Sequence, residues 1–206
     1  MNELKLAALV FAAVLNGMKT VYGVEIYKEK EEPFWKVWNC RWLYVCGAVS
    51  LGVFALIYYL GKGQMYYLRY ADLLYTYLLL AIVDLKTRIV PDRILFLFLT
   101  GQLLMAGAEG LTVLTAGLLG GLILGAVVLL VAATSSEKMG MGDGKLLAVT
   151  AIAAGWSYTL CILCIAMGLF LICGIWRILF RHSSMKAEMP FVPFLFLGTV
   201  IYFIWF

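Results

Sequence analysis

The chain has 206 residues, 64% of them hydrophobic and 14% charged, with a mean hydropathy of +0.96. A soluble domain holds roughly 45–50% apolar and 25% charged residues, so the composition excludes a soluble domain with a single anchor and implies a polytopic, all-α membrane protein. The net charge of +4 is not a nucleic-acid signature, because the basic residues fall in short connections, as membrane topology requires. Five cysteines without regular spacing exclude a disulfide framework. The N-terminus lacks a short apolar region followed by a small-residue cleavage site, so the first apolar stretch is expected to be a retained helix.

Spans of about 20 apolar residues, fewer with tilt or thinning, are needed to cross a bilayer. Eight stretches answer to this: Leu4–Val24, Trp42–Leu60, Tyr66–Val83, Arg93–Ala108, Thr112–Thr134, Lys145–Trp156, Tyr158–Phe180 and Phe191–Phe206. Asn16 and Lys19 interrupt the first, the sixth is short, and only Gly155-Trp156-Ser157 marks a turn between the sixth and seventh. The division expected is two N-terminal helices over 1–65 with a short cytoplasmic loop, then a six-helix core over 66–206.

Twelve Lys and Arg residues lie in the connections after spans one, three, five and seven. Three, Lys5, Lys62 and Arg69, lie on the opposite side, and Lys19 is left inside span one. The positive-inside rule then places the odd-to-even connections in the cytoplasm and both termini outside. The expected surroundings are membrane lipid, with these connections facing the cytoplasm.

Gly117, Gly121 and Gly125 in span five recur four apart and share nearly one helix face. Small residues at this spacing let helices pack closely. Packing within the chain is the preferred reading, and a homodimer through the same face is the alternative.

The chemistry rests on aspartates, of which there are four: Asp72, Asp84, Asp92 and Asp143. Asp143 stands in Gly140-Met141-Gly142-Asp143-Gly144-Lys145 at the mouth of span six. A charge at the edge of hydrocarbon is costly and is a functional hypothesis by default; the plain alternative is an N-cap for a helix starting near Leu146. Asp84 ends span three, at the same cytoplasmic boundary. Two carboxyls pressed together cannot both ionise cheaply, so they share a proton. One then takes a proton from water while the other donates to a carbonyl oxygen, which is amide hydrolysis without a covalent intermediate. Without such a partner, Asp84 reads as a boundary residue solvated with Lys86 and Arg88. Asp92 follows Pro91 and reads as a helix cap. Asp72 lies three residues after Arg69, which predicts a local ion pair. It is also twelve residues from Asp84, about 18 Å along a helix, and cannot join the cytoplasmic pair.

Asp84 with Ile89-Val90-Pro91-Asp92, the Gly140–Leu147 stretch, and Met189-Pro190-Phe191-Val192-Pro193-Phe194-Leu195 resemble, in order, three motifs of the type IV prepilin peptidases, membrane aspartic proteases with a GxGD motif. The likeness covers about residues 66–206. It implies Asp84 and Asp143 as the catalytic dyad, with no cofactor. It also implies prepilins or pseudopilins as substrates, whose basic leader is cut on the cytoplasmic side after a glycine, just before a hydrophobic helix. In this frame Gly140, Gly142 and Gly144 line the approach of the scissile backbone to Asp143. Lys145 either favours a neighbouring ionised carboxylate or is a positive-inside anchor. Pro190 and Pro193 either leave an irregular edge for the substrate or mark a helix start.

Two departures stand out. Many long members carry two Cys-x-x-Cys pairs that bind zinc between the first two spans. The connection here, about Glu25–Arg41, has Cys40 alone, so no metal is expected, and the N-methylation performed by those members is in doubt. Val192 stands where the family often has glycine. Cys161 and Cys164 read as apolar fillers in span seven, His182 as a solvated loop residue, and Glu29, Glu31 and Glu32 as a solvated face. The competing readings are a related GxGD protease for preflagellin or signal-peptide-like leaders, and a transporter or channel. The latter expects sites near the midplane on broken helices of paired repeats, whereas both aspartates lie at one boundary.

Overall fold

The computed structural model describes residues 3–27, 41–134, 141–181 and 189–205, all helical but for short turns. Among the described residues eight helices follow in chain order: α1 (Glu3–Tyr27), α2 (Arg41–Leu60), α3 (Met65–Thr87), α4 (Asp92–Glu109), α5 (Leu111–Thr134), α6 (Met141–Ala154), α7 (Trp156–Arg181) and α8 (Val192–Trp205). Each matches an apolar stretch of the sequence to within a few residues. The lysines of the first connection, Cys40, Gly140 and His182 lie outside the described residues.

Glu3–Ile26, Leu111–Val128 and Trp156–Arg177 are long and apolar enough to cross a membrane. Only 17% of the latter two windows is buried within the protein, which leaves outward faces such as Leu122, Ile123, Leu171 and Ile172 exposed. Water would penalise such faces by about 25 cal/mol per Å²; hydrocarbon does not. The protein is a polytopic membrane protein.

The turns follow from glycine where the chain reverses. The weakly marked boundary between α6 and α7 is a real break, since Gly155 takes φ +93°, a conformation open to glycine and costly for other residues.

Helix α3 is the hub, packed by α1, α4, α6 and α8. Its Leu73, Tyr77 and Leu80 share one core with Met18 and Tyr22 of α1, Ile94 and Phe98 of α4, Leu146 and Leu147 of α6, and Val192 and Leu195 of α8. The first helix is thus woven into the core, and residue 65 marks no gap in packing. Helix α2 leans on α1 from outside.

The glycine stripe of α5 serves packing within the chain. A Cβ at Gly117 would stand 2.7 Å from the Ile152 carbonyl oxygen, and one at Gly125 would stand 2.9 Å from Ala148 Cβ. The face is filled by α6, so a homodimer through Gly117, Gly121 and Gly125 would require α6 to leave it. At Gly121 an added Cβ would meet the Ile152 backbone at 2.6 Å, whereas at Gly107 nothing lies within 4 Å. Gly121→Ala is expected to cost about 1–3 kcal/mol by overpacking, and Gly107→Ala to be neutral or slightly stabilising through helix propensity. Thermal unfolding in detergent distinguishes them; equal losses would refute the packing account.

Candidate active site

Helices α3 and α6 run antiparallel, with bonds between them along their length. Near one end, Arg69 Nη2 donates to the Ala153 carbonyl. In the middle, Tyr77 Oη and Thr150 Oγ1 share a hydrogen bond of 2.6 Å in the buried core. Seven residues on from Tyr77 is Asp84, and seven back from Thr150 is Asp143. At 1.5 Å per residue both carboxyls stand about 10 Å from that bond, at the same level.

Asp84 is buried and Asp143 half-buried, each just beyond the end of an apolar stretch. Burial, and then the charge of Asp84, push the Asp143 carboxyl up to about 6. Both causes favour the protonated form of Asp143. Burial also raises Asp84, against the amides of Val192 and Phe191 and the charge of Arg88, which favour its ionised form.

The described part of α6 begins at Met141, so Asp143 lies in its first turn and does not cap a helix starting near Leu146. Gly142 brings that turn close to the connection between α3 and α4: an added Cβ would come 3.0 Å from Val90 Cβ. Gly144 is buried. Lys145 pairs with Asp92, Nζ to the carboxylate oxygens at 2.8 and 3.0 Å, in an exposed position. It therefore joins α6 to α4 and does not neutralise the acidic pair.

Asp92 is not the cap either. Pro91 holds that position with extended backbone, and Asp92 follows in the first turn, where a negative charge suits the helix dipole. Pro190 and Pro193 are half-buried about the start of α8. The Val192 amide of that first turn donates to Asp84 Oδ2 at 3.1 Å. All three sequence motifs thus meet at one end of the bundle.

The expected ion pair of Asp72 with Arg69 is not formed. Arg69 turns to Glu109 of α4, Nη1 to Oε2 at 2.9 Å. Asp72 turns inward, where Lys19 Nζ reaches Oδ1 at 2.5 Å and Gln102 Nε2 donates to Oδ2 at 2.9 Å. Lys19 also donates to Thr76 Oγ1 at 2.9 Å. Neighbours three apart on a helix need not face each other when one points into the bundle. The signal was present as three polar residues stranded in three apolar stretches, each requiring a partner away from water.

Comparison with known proteins gives the class. The model of the type IV leader peptidase family matches residues 72–176, and the chain belongs to that family. It is 32% identical over 143 residues to a prepilin leader peptidase/N-methyltransferase of Aeromonas salmonicida (strain A449), covering 66% of this chain and 49% of the relative. A protein of the same description from Aeromonas hydrophila is 31% identical over 143 residues, with the same shares covered. The chain thus spans about half the length of the curated relatives it matches. No solved structure matches it.

The buried network carries its own prediction. Removing one member of a buried ion pair costs about 3–5 kcal/mol, while replacing both by apolar residues is often neutral. Lys19→Met is expected to lower thermal stability in detergent strongly, and Lys19→Met with Asp72→Leu to recover much of the loss; a single variant as stable as the parent would refute the pairing.

Proposed function

We propose that the protein is a membrane aspartic endopeptidase that removes the basic leader from prepilins or pseudopilins at the cytoplasmic face, with Asp84 and Asp143 acting on a water molecule. The observation that carries this reading is the gathering of three motifs at one end of the bundle, where the Val192 amide donates to Asp84 and Gly142, beside Asp143, packs on Val90; burial and the charge of Asp84 push the Asp143 carboxyl up to about 6. Two such groups are suited to hold one proton between them, the condition for acting as acid and base in one step. Family membership supports the substrate class, and the excess of Lys and Arg in the odd-to-even connections supports the cytoplasmic side. Half-buried Asp143 leaves room for water. Gly142 and buried Gly144 flank it without side chains, which suits an extended peptide backbone lying close. The N-methyl transfer in the relatives' names is not part of the proposal.

Asp84→Asn and Asp143→Asn keep shape and lose the titratable oxygen. Each is expected to lower leader removal by about 10²–10⁴-fold while the protein still inserts and folds. The check is co-expression with a panel of prepilins and a gel shift on leader loss; robust cleavage by either variant would refute the dyad.

The pH dependence follows from the signs. The base must be ionised, so activity falls as pH drops through the lower apparent value of the pair. The acid must be protonated, so activity falls as pH rises through the upper one. With Asp143 at about 6, kcat/KM of the free enzyme is expected to decline above about pH 6, both limbs belonging to the coupled pair. A flat profile over the carboxyl range would count against it.

A further inference from the structure

We propose that the first turn of α8 holds Asp84 as the ionised member of the pair, through the backbone amide of Val192, and so assigns the roles: Asp84 the base, Asp143 the acid. The inference rests on the dyad reading above and adds a direction to it.

The geometry is that of a helix N-terminus closed from a distance. The first four amides of a helix have no partner within it. In α8 the Pro193 nitrogen carries no hydrogen. Phe194 and Leu195 both turn to the Phe191 carbonyl, at 3.0 and 3.3 Å. The Val192 amide is left, and it donates to Asp84 Oδ2 at 3.1 Å in a buried setting. Amide donors at a helix N-terminus favour an anion both by hydrogen bonding and through the helix dipole. The charged groups bearing on Asp84 are Arg88, just past the end of its own helix, and Asp143 from α6. On the neighbouring turn of α4, Asp92 is paired with Lys145 and Arg93 lies over the Tyr22 ring. Helix α8 brings amides and no charged side chain. Asp143 has burial and a like charge acting on it, and both keep its proton on.

The reaction balances with this assignment. A water oxygen attacks the scissile carbonyl carbon, the water proton passes to Asp84, and the Asp143 proton passes to the carbonyl oxygen. The tetrahedral gem-diol then loses its amine. The carbon–nitrogen bond breaks, Asp84 returns its proton to the departing nitrogen, and a hydroxyl proton goes back to Asp143. The products are a carboxylic acid and an amine, and the pair is restored as it began. The side chain of Val192 takes no part in the reaction and packs in the core.

The test removes one hydrogen. Val192→Pro deletes the donor at the first helical position, where proline is well tolerated. Replacing the amide by an ester, with the α-hydroxy analogue of valine at 192, deletes it without a ring should the proline variant fail to fold. A hydrogen bond to a charged group contributes about a pH unit or more, and its loss raises the pKa of the base. Leader cleavage is measured against pH with the purified full chain in detergent and a prepilin. The acidic limb is expected to move up by about one unit, with kcat on that limb down about tenfold and KM unchanged. The same ester at Ile201, in the middle of α8, leaves the limb in place. Cleavage by the parent with an unmoved limb in the 192 ester overturns the role assignment alone. No cleavage of any prepilin by the parent overturns the reading beneath it, and the assignment with it.

Discussion

The register between α3 and α6 is the constraint on which the site depends. Two carboxyls on different helices meet only if the helices cannot slide, and one residue of slip moves a side chain 1.5 Å along the axis and about 100° around it. The Tyr77–Thr150 bond sets that register in the core, and the Arg69–Ala153 contact sets it again toward the far end. Neither bond is strong alone, at about 1 kcal/mol net. In hydrocarbon, however, a slipped register would strand the buried Tyr77 hydroxyl without water, while Thr150 keeps its bond to the Leu146 carbonyl and Arg69 its bond to Glu109. The glycine stripe of α5 acts on the same helix from the other side, since it brings the α5 backbone against Ile152 and Ala148.

Polar groups divide by depth. In the interior Lys19, Asp72, Thr76 and the Gln102 amide nitrogen bond one another and tie α1 and α4 to α3. Their value is placement more than stability, because a buried ion pair seldom outweighs its desolvation. At the edge, burial raises the pKa of both Asp84 and Asp143, with the charge of Arg88 opposing the rise at Asp84. A basic side chain between them would fix both charges and end any proton exchange. Lys145, the obvious candidate by position, is held away by Asp92.

The helices were legible because an apolar stretch in a membrane protein repeats the thickness of the bilayer, and turns between such stretches are few. Asp84 and Asp143 stood out as candidates because one follows and the other precedes an apolar stretch, at what the charge count makes one boundary. The partners of Asp72 were not. Spacing on one helix says which residues are near, but the bundle decides which way they face, and Arg69 and Asp72 face different neighbours. Nor could residue identity disclose the Val192 amide: every residue but proline carries that group, and only the fold aims it at a carboxylate 108 positions away.

Helix ends also explain why two chemically identical groups are unequal. Asp84 lies in the last turn of α3, where the carbonyl end of the dipole disfavours an anion. Left to α3 alone it would be the better proton holder. The first turn of α8 opposes that field with amides directed at the carboxylate, and Arg88, in the left-handed conformation just past the helix, adds its charge. Asp143 lies in the first turn of α6, where the dipole favours an anion, yet burial and Asp84 still leave it far above the usual carboxyl range. The asymmetry therefore comes from what each neighbouring element contributes and not from the helix that carries the residue. A site built from three separate motifs gains by this, because the proton has a defined starting place only when α3, α6 and α8 are assembled together.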